Sequence, residues 1–434
     1  MTLHRTFRRL AFSGLILAAT LPQALAQDAA AFEQRLREVF AEQGVNITWS
    51  GIQQEGSTFT LQGVTIQEPA GSGEAATTPF AVGDVVLSDV TEQNGGYRVG
   101  TATFPNFSQA EEGTTVEASA ISITGLRIPP AGETDPIASL VLYEAADVGS
   151  VSIRQGDTEV FTLTDLHVEL TPPDGNQPIE FSGAAERFTI NFDTVPDPQT
   201  KAVLSELGYT QMNGFFEMAG AWDPADGDLA LNQYDFTVEN AGTLGVTFDL
   251  GGYTADFMKS LQELQKQMAA QPEGADNSAQ GLAMLGLMQQ VVFDGASIRF
   301  EDDSLTQKII EYVAKQQNVS PDDIKNQAKA VVPFLTAQLG NPELSTQITG
   351  AVNTFLDNPQ SIEISAAPAA PVPFSQIAAA ATANPLELTR SLGLTVTANQ
   401  AGEEDSGTDD APADGAAPAD GATTDDAGGE GQAQ

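Results

Sequence analysis

The stretch FTLQGVTI, Phe59 to Ile66, decides the fold of this chain. Its apolar residues fall at 59 and 61, then at 64 and 66, so a strand-like alternation slips by one residue in the middle. Ile121 to Ile128, ISITGLRI, repeats the slip, and so does Phe161 to Val168, FTLTDLHV. Aligned on it, Phe59, Leu61, Val64 and Ile66 match Ile121, Ile123, Leu126 and Ile128, then Phe161, Leu163, Leu166 and Val168. The residue before the second pair is Gly63, Gly125 or Asp165, types that tolerate the unusual backbone angles of a bulge. A bulge at each would return the second apolar pair to the face of the first and bend the strand. Looser copies occur at Val85, Leu87, Asp89, Val90 and at Leu229, Leu231, Tyr234, Phe236.

Working outward, the copies are irregularly spaced, which excludes a solenoid of fixed repeat. QNGGY at 93–97, RQGDT at 154–158 and PADGD at 224–228 are tight hairpin signals. The apolar positions alternate with Thr, Ser and Gln, so each strand has one buried and one wet face. These features predict an α+β fold built on a long, bulged and twisted antiparallel meander.

Ala29 to Gln43 precedes the meander and places Phe32, Leu36, Val39 and Phe40 on one helical face, with Gly44 behind it. After Gly251 the period changes to helical. YTADFMKSLQELQKQMAA and GLAMLGLMQQVVF read as helices and SIRFEDD as a short strand. Three helices follow, with start signals at Ser304 and Gln307, at Ser320-Pro321 and at Asn341-Pro342. SIEISAAPAAPVPF and LGLTVTAN close the chain as strands around a last helix near 386–392. The predicted organisation is a leader over 1–26, a helix and β-rich region over 27–250, and a helix-rich region over 251–399 packed on the sheet. An acidic tail occupies 400–434.

The leader has Arg5, Arg8 and Arg9 before an apolar run from Leu10 to Leu21 and Ala24-Leu25-Ala26, the pattern of a cleavable signal peptide. Its run is far shorter than the roughly 20 residues that span a bilayer, and no later run is longer. The expectation is a periplasmic protein starting near Gln27, without a transmembrane segment. Arg8-Arg9 raises twin-arginine export, but Phe7 and Ala11 fit that pattern poorly. The chain has no cysteine, which excludes a lipoprotein anchor, disulfides, thiolate metal sites and thiol catalysis.

Removing the three leader arginines leaves 15 of 18 basic residues against 59 acidic ones, a formal charge of -44. Nucleic acid and anionic surfaces are repelled by such a chain. Glu403 to Glu430 holds ten acidic residues and no basic one, among Ala, Gly, Pro and Thr. Such a composition cannot bury enough apolar area to offset its ordering entropy, which predicts disorder.

Catalytic constellations are sparse. His4 leaves with the leader, so any histidine chemistry rests on His167, which alternation puts on the wet side of its strand. No G-x-S-x-G, H-E-x-x-H or phosphate loop occurs. Asp223, Asp226 and Asp228 lack the spacing of a calcium loop, whose twelfth position falls at Tyr234, and they suit a hairpin turn. Glu301, Asp302 and Asp303 stand where a helix starts and oppose its dipole. The reading is non-enzymatic, with no cofactor and no metal.

The leader, the first helix, the slipped strands and LGYTQMNGFFEMAGAWDPADGDLALNQYDFTVENAGTLGVTFDLGG, Leu207 to Gly252, resemble YdgA-like and AsmA-like envelope proteins of Gram-negative bacteria. That resemblance implies a twisted, groove-shaped sheet and an envelope role, with lipid handling among the AsmA-like members. Two functional readings are compatible with these residues. One is a periplasmic protein that binds a lipid or other apolar ligand against the twelve apolar positions from Phe59 to Val168 named above. The other is a structural or interaction protein with a filled core, no small ligand and an envelope protein as partner.

Overall fold

The structure, a computed structural model, describes residues 29–42, 46–67, 80–135, 137–172, 177–269 and 278–400. The expected leader, and the tail beyond Gln400, lie outside the described residues. The chain opens with helix α1 (Ala29–Glu42) and the strands β1 (Asn46–Thr48), β2 (Gly51–Glu55), β3 (Thr58–Gln67), β4 (Phe80–Gln93) and β5 (Gly96–Thr103). Next come β6 (Phe107–Glu111), β7 (Thr114–Thr124), β8 (Arg127–Ile128), β9 (Ala145–Gln155), β10 (Thr158–Leu170) and β11 (Ile179–Asn191). Helix α2 (Pro198–Glu206) leads into β12 (Gln211–Trp222), β13 (Leu229–Val238) and β14 (Gly242–Gly251). Helices α3 (Ala255–Ala269) and α4 (Ser278–Met288) precede β15 (Val292–Asp302). Then come α5 (Leu305–Gln317), α6 (Pro321–Thr336), α7 (Pro342–Asp357), β16 (Ser361–Ala366), β17 (Val372–Pro373), α8 (Phe374–Ala383), α9 (Pro385–Ser391) and β18 (Leu394–Ala398).

The strands of the described residues join one antiparallel sheet of 18. β1 and β2 both pair with β3, and β3 with β4 and β4 with β5. β5 pairs with β7 and β8, β6 folds back on β7, and β7 hands on to β9. From β9 each strand pairs with the next through β15, which takes β16 and β17, and β18 closes the edge on β16. The β-rich region is continuous with the helix-rich one, because β14 and β15 pair along their whole length.

The slip has a definite geometry. Gly63, Asp89, Gly125 and Asp165 all have left-handed φ, from +51° to +69°. At Gly63 the pairing with β4 shifts, and the freed Gly63 N–H donates to the Asp84 carboxylate at 2.8 Å. At Asp165 no residue is inserted: Thr164 pairs with Ser150 and Leu166 with Val148, so the facing strand slips together with Asp165. Both strands then keep their apolar pairs on one face without losing register. Close approach decides the neighbours. A Cβ on Gly100 would lie 2.5 Å from the Asp89 Cβ, and one on Gly149 2.8 Å from the Ala120 Cβ.

The main core lies under α1. Phe32, Leu36 and Val39 seal against Phe59, Leu61, Val64, Val85, Leu87, Val90 and Val99, all essentially inaccessible. Phe32 stacks on Phe59 at 4.9 Å and meets Tyr97 edge-on at 5.0 Å. A smaller core packs α7 on the far end of the sheet through Ala351, Phe355 and Ala398, with Phe355 edge-on to Phe300.

Several local expectations need correction. Ser304 makes no capping bond; the Asp302 carboxylate accepts from Thr306 N at 2.7 Å, while Ser304 Oγ donates to Asn240 O. The acidic group therefore does the capping that Ser304 was expected to do. Ser320 with Asp323 forms a full capping box, and Asn341 accepts from Leu344 N. Val292 and Phe293, expected to extend a helix, open β15 instead, because they find strand partners in Gly251 and Leu250 of β14. Phe374 to Ala383, whose first residue was expected to end a closing strand, is helix α8.

Candidate functional site

Cross-strand partners share a face, so the register traces each face across the whole sheet. One rung runs Ile121, Val148, Leu166, Ala185, Phe216, Phe236, Leu244, Phe300, Ile362, Ala398. Another runs Phe59, Leu87, Ala102, Ile123, Ala146, Val168, Gly183, Met218, Tyr234. A single apolar face thus extends from β3 to β18.

The twelve predicted positions lie along this face, under different cover. Phe59, Leu61, Val64, Ile123, Leu126 and Ile128 are buried in the core under α1, and Ile66 and Ile121 are half-buried at its margin. Phe161, Leu163, Leu166 and Val168 are half-buried on β10, beyond the helix. The first two copies of the motif are therefore filled core, and only the third reaches open sheet.

Beyond β9 the face widens into a trough that the motif did not reveal. α1 packs at β1 and β2 and α7 to α9 at β16 to β18, while α3 and α5 are tied to the turns at the ends of β12 to β14. Between them Leu244 is 42% exposed, and Ile298 and its cross-strand partner Ile364 are each 53% exposed. The floor is paved with rings lying over glycines. Phe188 stacks on Phe236 at 4.7 Å and 12° and lies over Gly214, where a Cβ would meet its ring at 2.5 Å; Phe188 itself is buried, so the open part of the face begins beyond it. Phe181 covers Gly220 in the same way. The signal that could have found this floor was present: aromatic residues opposite glycines on successive strands.

α3 lies on the same side of the sheet as α1. Trp222 on the apolar face donates to Tyr253 O at 2.7 Å and packs edge-on against its ring, which fixes the start of α3. Ala255 N donates to Pro224 O at the β12–β13 turn, and at the other end of α3 Lys266 Nζ donates to Glu42 O at the end of α1. Seven strand spacings separate β12 from β3, over 30 Å at about 4.8 Å each. The helix from Ala255 to Lys266 covers only about 17 Å. The extended Lys266 side chain makes up part of the remaining distance. Phe257 and Leu264 of α3 are buried there.

The wet face carries the polar chemistry. His167 lies there as expected, but both its nitrogens have carboxylate partners: Nδ1 to Asp147 at 2.6 Å and Nε2 to Glu169 at 3.0 Å. These bonds, Asp147 first, raise the imidazole above its ordinary 6.5. Ser122 Oγ reaches the same Asp147 at 3.4 Å and not the imidazole, so the serine lacks the adjacent base a nucleophile needs. Asp223 accepts from Ala225 N and Asp226 N as the hairpin turn predicted for it. Asp249 and Asp294 are raised, each by burial first, then by the charge of Asp294 on Asp249 and of Asp228 on Asp294. Among the described residues no three His, Asp or Glu side chains are arranged to hold a metal. An open cleft of about 550 Å³ at the ends of β13 to β15 is lined by Glu239, Glu301, Asp302 and Asp303. Its turn carbonyl, Asn240 O, is taken by Ser304 and Lys308.

A protein-family model described as an uncharacterized protein matches residues 235–399, from within β13 to the end of β18. No curated protein matches the chain. The matched stretch contains the most exposed part of the trough. No helix among the described residues is long and apolar enough to cross a membrane.

Proposed function

We propose that this chain is an exported, non-enzymatic protein of the cell envelope that holds the acyl portion of a lipid, or a ligand of similar shape, along the apolar face between β9 and β16. The observation that carries this reading is the continuous apolar rung from Val148 to Ile362, beside whose far part Leu244, Ile298 and Ile364 stand exposed. Exposed large apolar side chains that cluster on one face, as Leu244, Ile298 and Ile364 do, mark a surface that a partner or ligand can cover. A row of rings over glycines gives a flat, rigid floor that suits a flexible chain, since little of the protein must be ordered on binding. The filled core under α1 favours the alternative, a structural role, only for β1 to β8. The two readings part at the trough.

The test is extraction. The protein is recovered after export, purified without detergent, weighed by native mass spectrometry and extracted with organic solvent. A near-stoichiometric lipid that is lost in Ile298→Asp supports the reading. A bare polypeptide mass, with no uptake of an added fluorescent fatty acid, overturns it.

A further inference from the structure

Charge is distributed unevenly over the second half of the chain. Acidic residues number 59 in the whole sequence, yet none, and no basic residue, occurs from Ser278 to Phe293, from Ala330 to Pro342 or from Ile364 to Leu386. The fold brings these three stretches to one end of the molecule. α4 contacts α8, and α8 contacts α9. Asn341, just after the tip of α6, donates to Thr389 of α9 at 3.1 Å. Phe374 of α8 packs edge-on to Phe293, whose partner Leu250 lies on the trough face. This uncharged end therefore borders the trough.

The same end displays large apolar side chains outward. On α6 the inner row Ile324, Ala328, Val332 and Thr336 is half-buried or buried, while Phe334 is 77% exposed and Val331, Leu335 and Leu339 are exposed around it. On α4, Leu282 is 70% exposed and Leu285 stands beside it. Fully solvated, these rings and branches are unfavourable, and no described residue covers them.

We infer that this end docks on the surface of a lipid bilayer with neutral headgroups, with Leu282, Leu285, Phe334, Leu335 and Leu339 entering its apolar margin. Charge selects the occupant. A charged side chain carried into lipid costs several kcal/mol, and the outward-facing segments are the ones without any. The excess of acid elsewhere repels anionic headgroups, and it equally repels a second copy of the chain. Docking here would bring the trough mouth against the lipid, but the inference stands whether or not the trough holds acyl chains.

The experiment is flotation of the exported form with phosphatidylcholine vesicles, and with vesicles containing phosphatidylglycerol, alongside analytical ultracentrifugation without lipid. The protein is expected to float with neutral vesicles, undiminished by added salt, and less with anionic ones at low salt. Phe334→Asp and Leu282→Asp, at exposed positions, should each lower the partition coefficient about tenfold or more, whereas Ile298→Asp in the trough should leave it unchanged. In Phe334→Trp, brominated phosphatidylcholine should quench the added fluorescence. Three results overturn the inference: no flotation with neutral vesicles, flotation indifferent to both charged variants, or a dimer in ultracentrifugation that Phe334→Asp dissolves. If Ile298→Asp loses its extracted lipid yet still floats, trough and docking surface are separate.

Discussion

The apolar face should behave as core at one end and as open surface at the other, and a pair of truncations measures this. Leu61 is fully inaccessible, enclosed by α1, β2 and β4. Leu61→Ala removes buried methyl groups and leaves a cavity, which costs about 2–5 kcal/mol. Ile298 belongs to the same face but is 53% exposed. Complete burial of such a side chain is worth about 1.5–3 kcal/mol, so truncation to Ala at a half-exposed site forfeits about 1 kcal/mol, and no cavity forms. The assay is urea unfolding followed by far-ultraviolet circular dichroism. With a slope of about 3 kcal/mol per molar, Leu61→Ala lowers the midpoint by about 1 M and Ile298→Ala by about 0.3 M. Adding the extracted lipid or a fatty acid should stabilise the parent chain and not Ile298→Asp, because binding to the native state alone raises its stability. Equal losses for the two alanine variants would refute the division of the face into filled core and trough.

Two further outcomes rest on the geometry. In Gly214→Ala the new Cβ would stand 2.0 Å from Thr237 O and 2.5 Å from the Phe188 ring, so β12 and β13 must part and the ring must lift; a loss of about 1–3 kcal/mol in urea unfolding is expected, together with weaker retention of any extracted lipid. His167 is raised above 6.5 by Asp147 and Glu169; its contribution is complete below about pH 6.5 and lost as pH rises through the higher folded value, so the parent's thermal midpoint should fall across that window relative to His167→Gln, and parallel profiles would contradict the ion pairs.

Much of the architecture was legible because strand physics is local. The slip in FTLQGVTI needs a residue that accepts left-handed backbone, and Gly63, Gly125 and Asp165 adopt it. Turn chemistry at Asn94-Gly95 and Gly156 is equally local, and both glycines have positive φ. The helix at 29–42 was readable from one apolar stripe. Local signals failed where a partner decides between alternatives. Val292-Phe293 is compatible with helix until β14 offers an edge, and Ser304 is a plausible cap until Asp302 takes its place.

Sequence alone determined that the chain is acidic and cysteine-free, and that its strands have one apolar side, because these depend on composition and on a period of two. Which apolar residues are core and which line a trough was decided only by tertiary structure. Phe59, Ile121 and Phe161 occupy equivalent places in the same motif, yet they end under α1, at its border and beyond it. Burial depends on what the rest of the chain lays over a strand, and the strand's own residues do not encode the reach of a helix.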